Sequence, residues 1–86
     1  MIKSNCIVES TKGKDIGKLY IVSNIDGNFA YICDGKMKNK GNLKKKNVKH
    51  LKFIEISKDL DFNSMKDCDI IYRLKSIKNN KMGGML

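Results

Sequence analysis

Proline and tryptophan are absent from the 86-residue chain, and arginine and histidine occur once each. Its three cysteines, Cys6, Cys33 and Cys68, are widely spaced, with no Cys-x-x-Cys pair and only His50 to join them. A structural zinc site needs four ligands, normally with at least one close pair, so no metal is expected, nor any other cofactor. The thiols read as buried free cysteines. No apolar run approaches the roughly 20 residues that span a bilayer. The stretch behind Lys3 is too polar for a signal peptide, which makes the cytoplasm the expected compartment. Catalytic constellations are missing too. Asp26 and Asp34 lie in turn sequences, and no Cys-His or Ser-His pairing suggests itself. The expectation is a protein that is not an enzyme.

Acid is also absent where base is densest. Residues 36–52 contain Lys36, Lys38, Lys40, Lys44, Lys45, Lys46, Lys49 and Lys52 and no acidic residue, whereas the whole chain carries +9. Eight of those nine charges therefore fall in one segment. An AT-rich genome would raise lysine throughout, but it would not clear 17 consecutive residues of acid. A localised basic patch attracts polyanions, nucleic acid first and anionic membrane second. The run lacks the interleaved large apolar residues of a membrane anchor, so no membrane partner is expected.

At 41% apolar and 31% charged residues, the chain has the composition of one small folded domain. Residues 5–9 read as a first strand, 19–25 as a second and 29–34 as a third, each rich in β-branched or aromatic residues. Between the first two lies Ser10-Thr11-Lys12-Gly13-Lys14-Asp15-Ile16-Gly17-Lys18, a hairpin connection long enough to present side chains. Asp26-Gly27 predicts a tight turn before the third strand. Leu19, Ile21 and Ser23 alternate with Tyr20, Val22 and Asn24, and both sets contain apolar groups, so the alternation does not choose the buried face. Residues 36–42 read as a solvated loop, residues 44–51 enter a fourth strand, and Phe53, Ile54 and Ile56 continue into a short fifth or close a barrel. The fold class expected is mainly β, a small SH3-like five-stranded barrel over 1–56 with a C-terminal α-helix. Residues 57–63 read as a connector. Ser64 reads as the cap of a helix over 64–80, and 81–86 as a flexible tail. Met65, Cys68, Ile71, Tyr72 and Lys75 recur at helical spacing, with Ile70, Leu74 and Ile77 widening the stripe. That stripe needs a partner, either the barrel or a second protein.

The order Val8-x-Ser10-x-x-Gly13-Lys14-Asp15-x-Gly17-Lys18 before an apolar strand resembles the KOW motif of ribosomal proteins and bacterial transcription elongation factors. The likeness continues through Gly17-Lys18-Leu19, Ile25-Asp26-x-Asn28-x-Ala30, Asp34-Gly35 and Val48-x-His50-Leu51. Over about residues 5–55 the chain is thus similar to the fourteen-e type of large-subunit ribosomal protein and its short standalone bacterial relatives. Two features depart from the ribosomal proteins: the lysine-heavy stretch 36–47 and the short helix. The resemblance implies an SH3-like barrel that docks structured RNA, ribosomal RNA foremost, through the loops around the KOW hairpin. It would do so as a ribosome-associated factor, monomeric when free.

The candidate RNA-binding residues are Lys12, Gly13, Lys14, Gly17, Lys18, Lys36, Lys38, Lys40, Lys44, Lys45, Lys46, Lys49 and His50. Lysine is a point charge without arginine's bidentate fork, so backbone and shape recognition is expected over base-edge readout. Tyr20, Phe29 and Tyr31 are able to stack on bases, but core packing is their expected role. The alternative is a protein-interaction module that docks onto a translation or transcription machine through the barrel or the helix, and an exposed apolar patch on 65–77 would favour it.

Overall fold

The computed structural model describes residues 2–56 and 61–83. Five antiparallel strands form one sheet: β1 (Cys6–Ser10), β2 (Leu19–Asp26), β3 (Phe29–Cys33), β4 (Lys44–Asn47) and β5 (Leu51–Ile56), in spatial order β4-β3-β2-β1-β5. A single helix, α1 (Asp67–Gly83), follows. The mainly β class with a C-terminal helix is therefore as the sequence predicted.

The connection between the two edge strands explains the curl of the sheet. In a flat sheet β4 and β5 would lie four spacings apart, about 19 Å. Only one 3-10 turn, Val48–His50, joins them, and at roughly 2 Å per residue it covers about 6 Å. The sheet must bend to bring its edges together at that end. Two register shifts, at Ile7/Val8 against β5 and at Val22/Asn24 against β3, supply the local kinks. The stretch read as one fourth strand is thus two elements split by the 3-10 turn. Loss of the ladder there follows from Asn47, whose side chain accepts a hydrogen bond from the Lys49 N–H and caps the turn.

Both faces of the sheet are covered, which is why the alternation does not choose between them. Cys6, Val8, Tyr20, Val22, Ala30, Ile32 and Leu51 fill the concave side. Ile7, Ile21 and Cys33, aligned across three strands by the registers Ile7↔Ile21 and Ile21↔Cys33, lie on the other side with Leu19. There they meet Phe62, Met65, Ile70 and Leu74. The helix packs on the sheet, and its apolar stripe has its partner within the chain.

The helix departs from its predicted bounds and face. It begins at Asp67, and Ser64 belongs to a separate 3-10 turn, Phe62–Ser64. Its first turn is closed by the Lys66 N–H donating to the Asp69 carboxylate at 2.9 Å. At the other end it runs to Gly83, three residues past the predicted stop. The buried line is Ile70 and Leu74, with Ile77 partly covered, whereas Cys68 is exposed and Tyr72 is 77% exposed. The connector expected over 57–63 contributes buried Phe62, tied back by its N–H to the Asn5 side chain at 2.9 Å. Residues 57–60 and 84–86, which include parts of that connector and of the expected tail, lie outside the described residues.

Of the three thiols read as buried, Cys6 and Cys33 are so, and Cys68 faces solvent. A bulky maleimide is therefore expected to label one cysteine per native chain. The other two should react only in denaturant. Intact-mass measurement checks this, and fast native labelling at Cys6 or Cys33 would contradict the packing described.

Candidate functional site

Three segments converge at the end of the sheet where the edges meet. The first is the loop between β1 and β2, closed by Ser10 N–H to Lys18 O at 2.9 Å and Gly17 N–H to Ser10 O at 2.8 Å. Gly13 and Gly17 take φ of +96° and +87°, a left-handed conformation that explains glycine at both positions. The second is the two-residue turn Gly27–Asn28 between Asp26 and Phe29. The third is 44–50, which the Val48 N–H ties to Asn28 O at 2.9 Å and His50 O ties to the Thr11 N–H at 2.9 Å.

Asp15 is the hub of this end. Its Oδ1 accepts from Ser10 Oγ at 2.8 Å and Lys46 Nζ at 2.7 Å, and its Oδ2 from Tyr20 Oη at 2.8 Å and Lys44 Nζ at 2.9 Å. Alternation along β4 places Lys44 opposite Ile32 and Lys46 opposite Ala30, both residues of the concave cluster, so the two ammonium groups reach Asp15 from the same face. Burial pushes the Asp15 carboxyl up, but hydrogen bonds from Lys46, Lys44, Tyr20 and Ser10 outweigh it and hold the group far below the carboxylate range. Burial, then the hydrogen bond it donates to Asp15 and the Asp15 charge, push the Tyr20 hydroxyl well above its ordinary value. In the sequence Asp15 is only a loop residue of the motif. The structure makes it the anchor on which the loop and β4 are fastened.

Above this hub lies an open depression of about 580 Å³, lined by Lys12, Gly13, Phe29, Lys44, Lys45, Lys46, Asn47, Lys49 and His50. Five lysines and no acid form its walls. Lys12, Lys45 and Lys49 are exposed and make no ion pair among the described residues, while Lys44 and Lys46 are engaged by Asp15. Lys45, on the opposite face of β4, sets its ammonium 4.5 Å from the centroid of the Phe29 ring. Desolvation, then the charges of Lys12, Lys49 and Lys46, lower the pKa of His50 and favour its neutral imidazole.

Seven of the thirteen candidate residues are thus brought to one depression: Lys12, Gly13, Lys44, Lys45, Lys46, Lys49 and His50. Lys14, Gly17 and Lys18 are on the same loop but do not line it. Lys18 pairs with Asp34 at 2.8 Å. Lys36, Lys38 and Lys40 lie elsewhere, in a loop wrapped around Asp34, whose Oδ1 accepts the Lys36 and Lys38 N–H groups at 2.9 and 3.1 Å. Lys40 turns inward. Its ammonium donates to Phe62 O at 2.8 Å and Met65 O at 2.6 Å, and lies over the Phe62 ring at 4.8 Å. The solvated loop expected over 36–42 therefore includes a lysine that fastens the 3-10 turn at Phe62–Ser64.

No family model matches the chain. DNA topoisomerase 1 of Buchnera aphidicola subsp. Schizaphis graminum is 35% identical to it over 79 residues. That alignment covers 86% of this chain and 9% of the topoisomerase, so the chain spans a small fraction of that relative's length.

Sequence reasoning assigns Phe29 to core packing, with base stacking as its lesser role, and does not single out Asn47, yet both line the depression. The signal for Phe29 was weak but present: it directly follows the predicted Asp-Gly turn, where a hairpin end leaves the sheet's cover. No pattern in the chain pointed to Asn47.

Proposed function

We propose that this chain is a non-enzymatic nucleic-acid-binding module that docks RNA phosphates on the depression between the β1–β2 loop and β4. The observation that carries the reading is a concave surface lined by five lysines without an acid, three of them in no ion pair among the described residues. The resemblance to KOW proteins supports RNA, and a relative named as a DNA topoisomerase supports nucleic acid in the wider sense. Phosphate contacts by lysine give affinity with strong salt dependence and little base-edge specificity. A structured RNA of ribosomal type fits such a surface through its backbone and loops. Of the two routes in the protein-docking alternative, barrel or helix, the helix route asks for an exposed apolar patch on 65–77. Instead, Met65, Ile70 and Leu74 are buried against the sheet, and Tyr72 is the one large apolar helix residue exposed among the described residues.

The test is a salt titration of binding to ribosomal RNA and to duplex DNA. In the variant with Lys12, Lys45 and Lys49 changed to Gln, the log-log salt slope is expected to shrink by about 2–3, one per lost phosphate contact. These lysines are preferable to Lys44 and Lys46, whose loss would also strip Asp15 of its partners. A Lys36/Lys38 double variant should keep the wild-type slope. Equal slopes for wild type and the triple variant would remove the depression as the docking surface.

A further inference from the structure

Phe29 is in the wrong place for a core residue. It occupies the face shared by Tyr31 and Cys33, of which Cys33 is buried under the helix and Tyr31 half-buried, yet Phe29 is left 39% exposed. Burying a phenylalanine ring is favourable, and this one forgoes part of that gain in the wall of the basic depression. The position is fixed. The ring stands at the start of β3, paired with Asn47, and the Val48 N–H to Asn28 O bond pins its turn to the segment carrying Lys49 and His50. Lys45 rests its ammonium against the ring at 4.5 Å.

We infer that Phe29 is a stacking platform for an unpaired nucleobase, with Lys12, Lys45 and Lys49 holding the phosphates on either side of it. A planar aromatic face among cations is the arrangement that single-stranded nucleic acid selects: every base has a π-face, and every linkage has one charge. Lys45 has a flexible stem and swings from the ring to a phosphate as the base takes its place. A continuous duplex keeps its bases stacked on one another and offers none to the ring. The ligand class is therefore a single strand, or a loop or bulge of a folded RNA. This inference rests on the proposed function and narrows it from phosphate docking to base capture.

The test compares a short oligouridylate, oligodeoxythymidylate and an abasic strand of equal charge. Wild type should bind either base-bearing strand about 5- to 150-fold more tightly than the abasic one. Phe29→Ala should abolish that difference while leaving the salt slope unchanged. Phe53, exposed to a similar 41% but outside the depression, is the control, and Phe53→Ala should keep the difference. Because the chain has no tryptophan, Phe29→Trp supplies the single indole, whose fluorescence should be quenched by the base-bearing strands and not by the abasic one. The ratio between the ribose and deoxyribose strands reports which nucleic acid is preferred. If wild type binds base-bearing and abasic strands alike, base capture is overturned while phosphate docking stands. If it binds none of them even at low salt, both readings fall.

Discussion

Gly35→Ala is expected to lower the unfolding free energy by about 2–5 kcal/mol, enough to consume much of the stability of a domain this small. Gly35 follows β3 with φ of +80°, so a side chain there starts from a strained left-handed backbone. The larger obstacle is space. A Cβ at this position would stand 2.5 Å from the carbonyl oxygen of Asp67 and 2.8 Å from Ile71 Cγ1, both in the first turns of α1. Backbone cannot rotate away as a side chain does, so the helix must shift off the sheet and loosen Ile70 and Leu74. Gly17→Ala is the matched control: its φ is +87°, but nothing lies within 4 Å of the added carbon. It should therefore carry only the conformational cost, about 1–2 kcal/mol. Urea unfolding of both variants separates strain from collision. Similar midpoints for the two would mean that the helix does not approach the sheet as closely as described.

Asp15→Asn is expected to have two effects of opposite sign. The amide keeps the size of the carboxylate but not its charge. That leaves the Lys46 ammonium, whose side chain is 10% exposed, and the more open Lys44 without a counter-ion. Hydrogen bonds to charged groups and the cost of stranding a largely buried ammonium suggest a loss of about 3 kcal/mol. Binding to a polyanion should meanwhile strengthen, because loss of the carboxylate raises the positive charge at the depression by one and frees the more open Lys44 ammonium for a phosphate, and the salt slope should steepen. A variant that was simply misfolded would lose binding together with stability.

The pH dependence of the wild type follows from the same hub. Because the folded-state pKa of Asp15 lies below its unfolded value, its contribution is complete above the ordinary aspartate pKa of about 3.9. It is lost progressively as pH falls below that value toward the folded one. Wild-type stability should thus decline below about pH 4, and Asp15→Asn should lack its share of that decline. An identical acid limb in the two proteins would show that Asp15 is not the group responsible.

The sequence alone makes β1, β2 and β3 legible, because β-branched and aromatic runs separated by glycine turns are local signals; it does not separate β4, which has no such residue, from β5. It determined the last helix to within three residues at each end, and the concentration of charge in 36–52. It also marked the loop 10–18 as a side-chain-presenting hairpin connection, with glycine at the two positions, Gly13 and Gly17, whose backbone angles need it. Tertiary structure alone decided which charges are free. Lys44, Lys45 and Lys46 are equivalent as letters, but strand alternation sends the first and third to Asp15 and the second to Phe29. Lys40 reads as a surface charge until the fold brings the Phe62 and Met65 carbonyls within its reach. Which face of β2 was buried had no answer in its own alternation, since the helix covering Ile21 arrives from 46 or more positions further on. Charge content and local conformation are properties of neighbouring residues. Pairing and exposure depend on what folding brings close from a distance, and a one-dimensional pattern does not carry that.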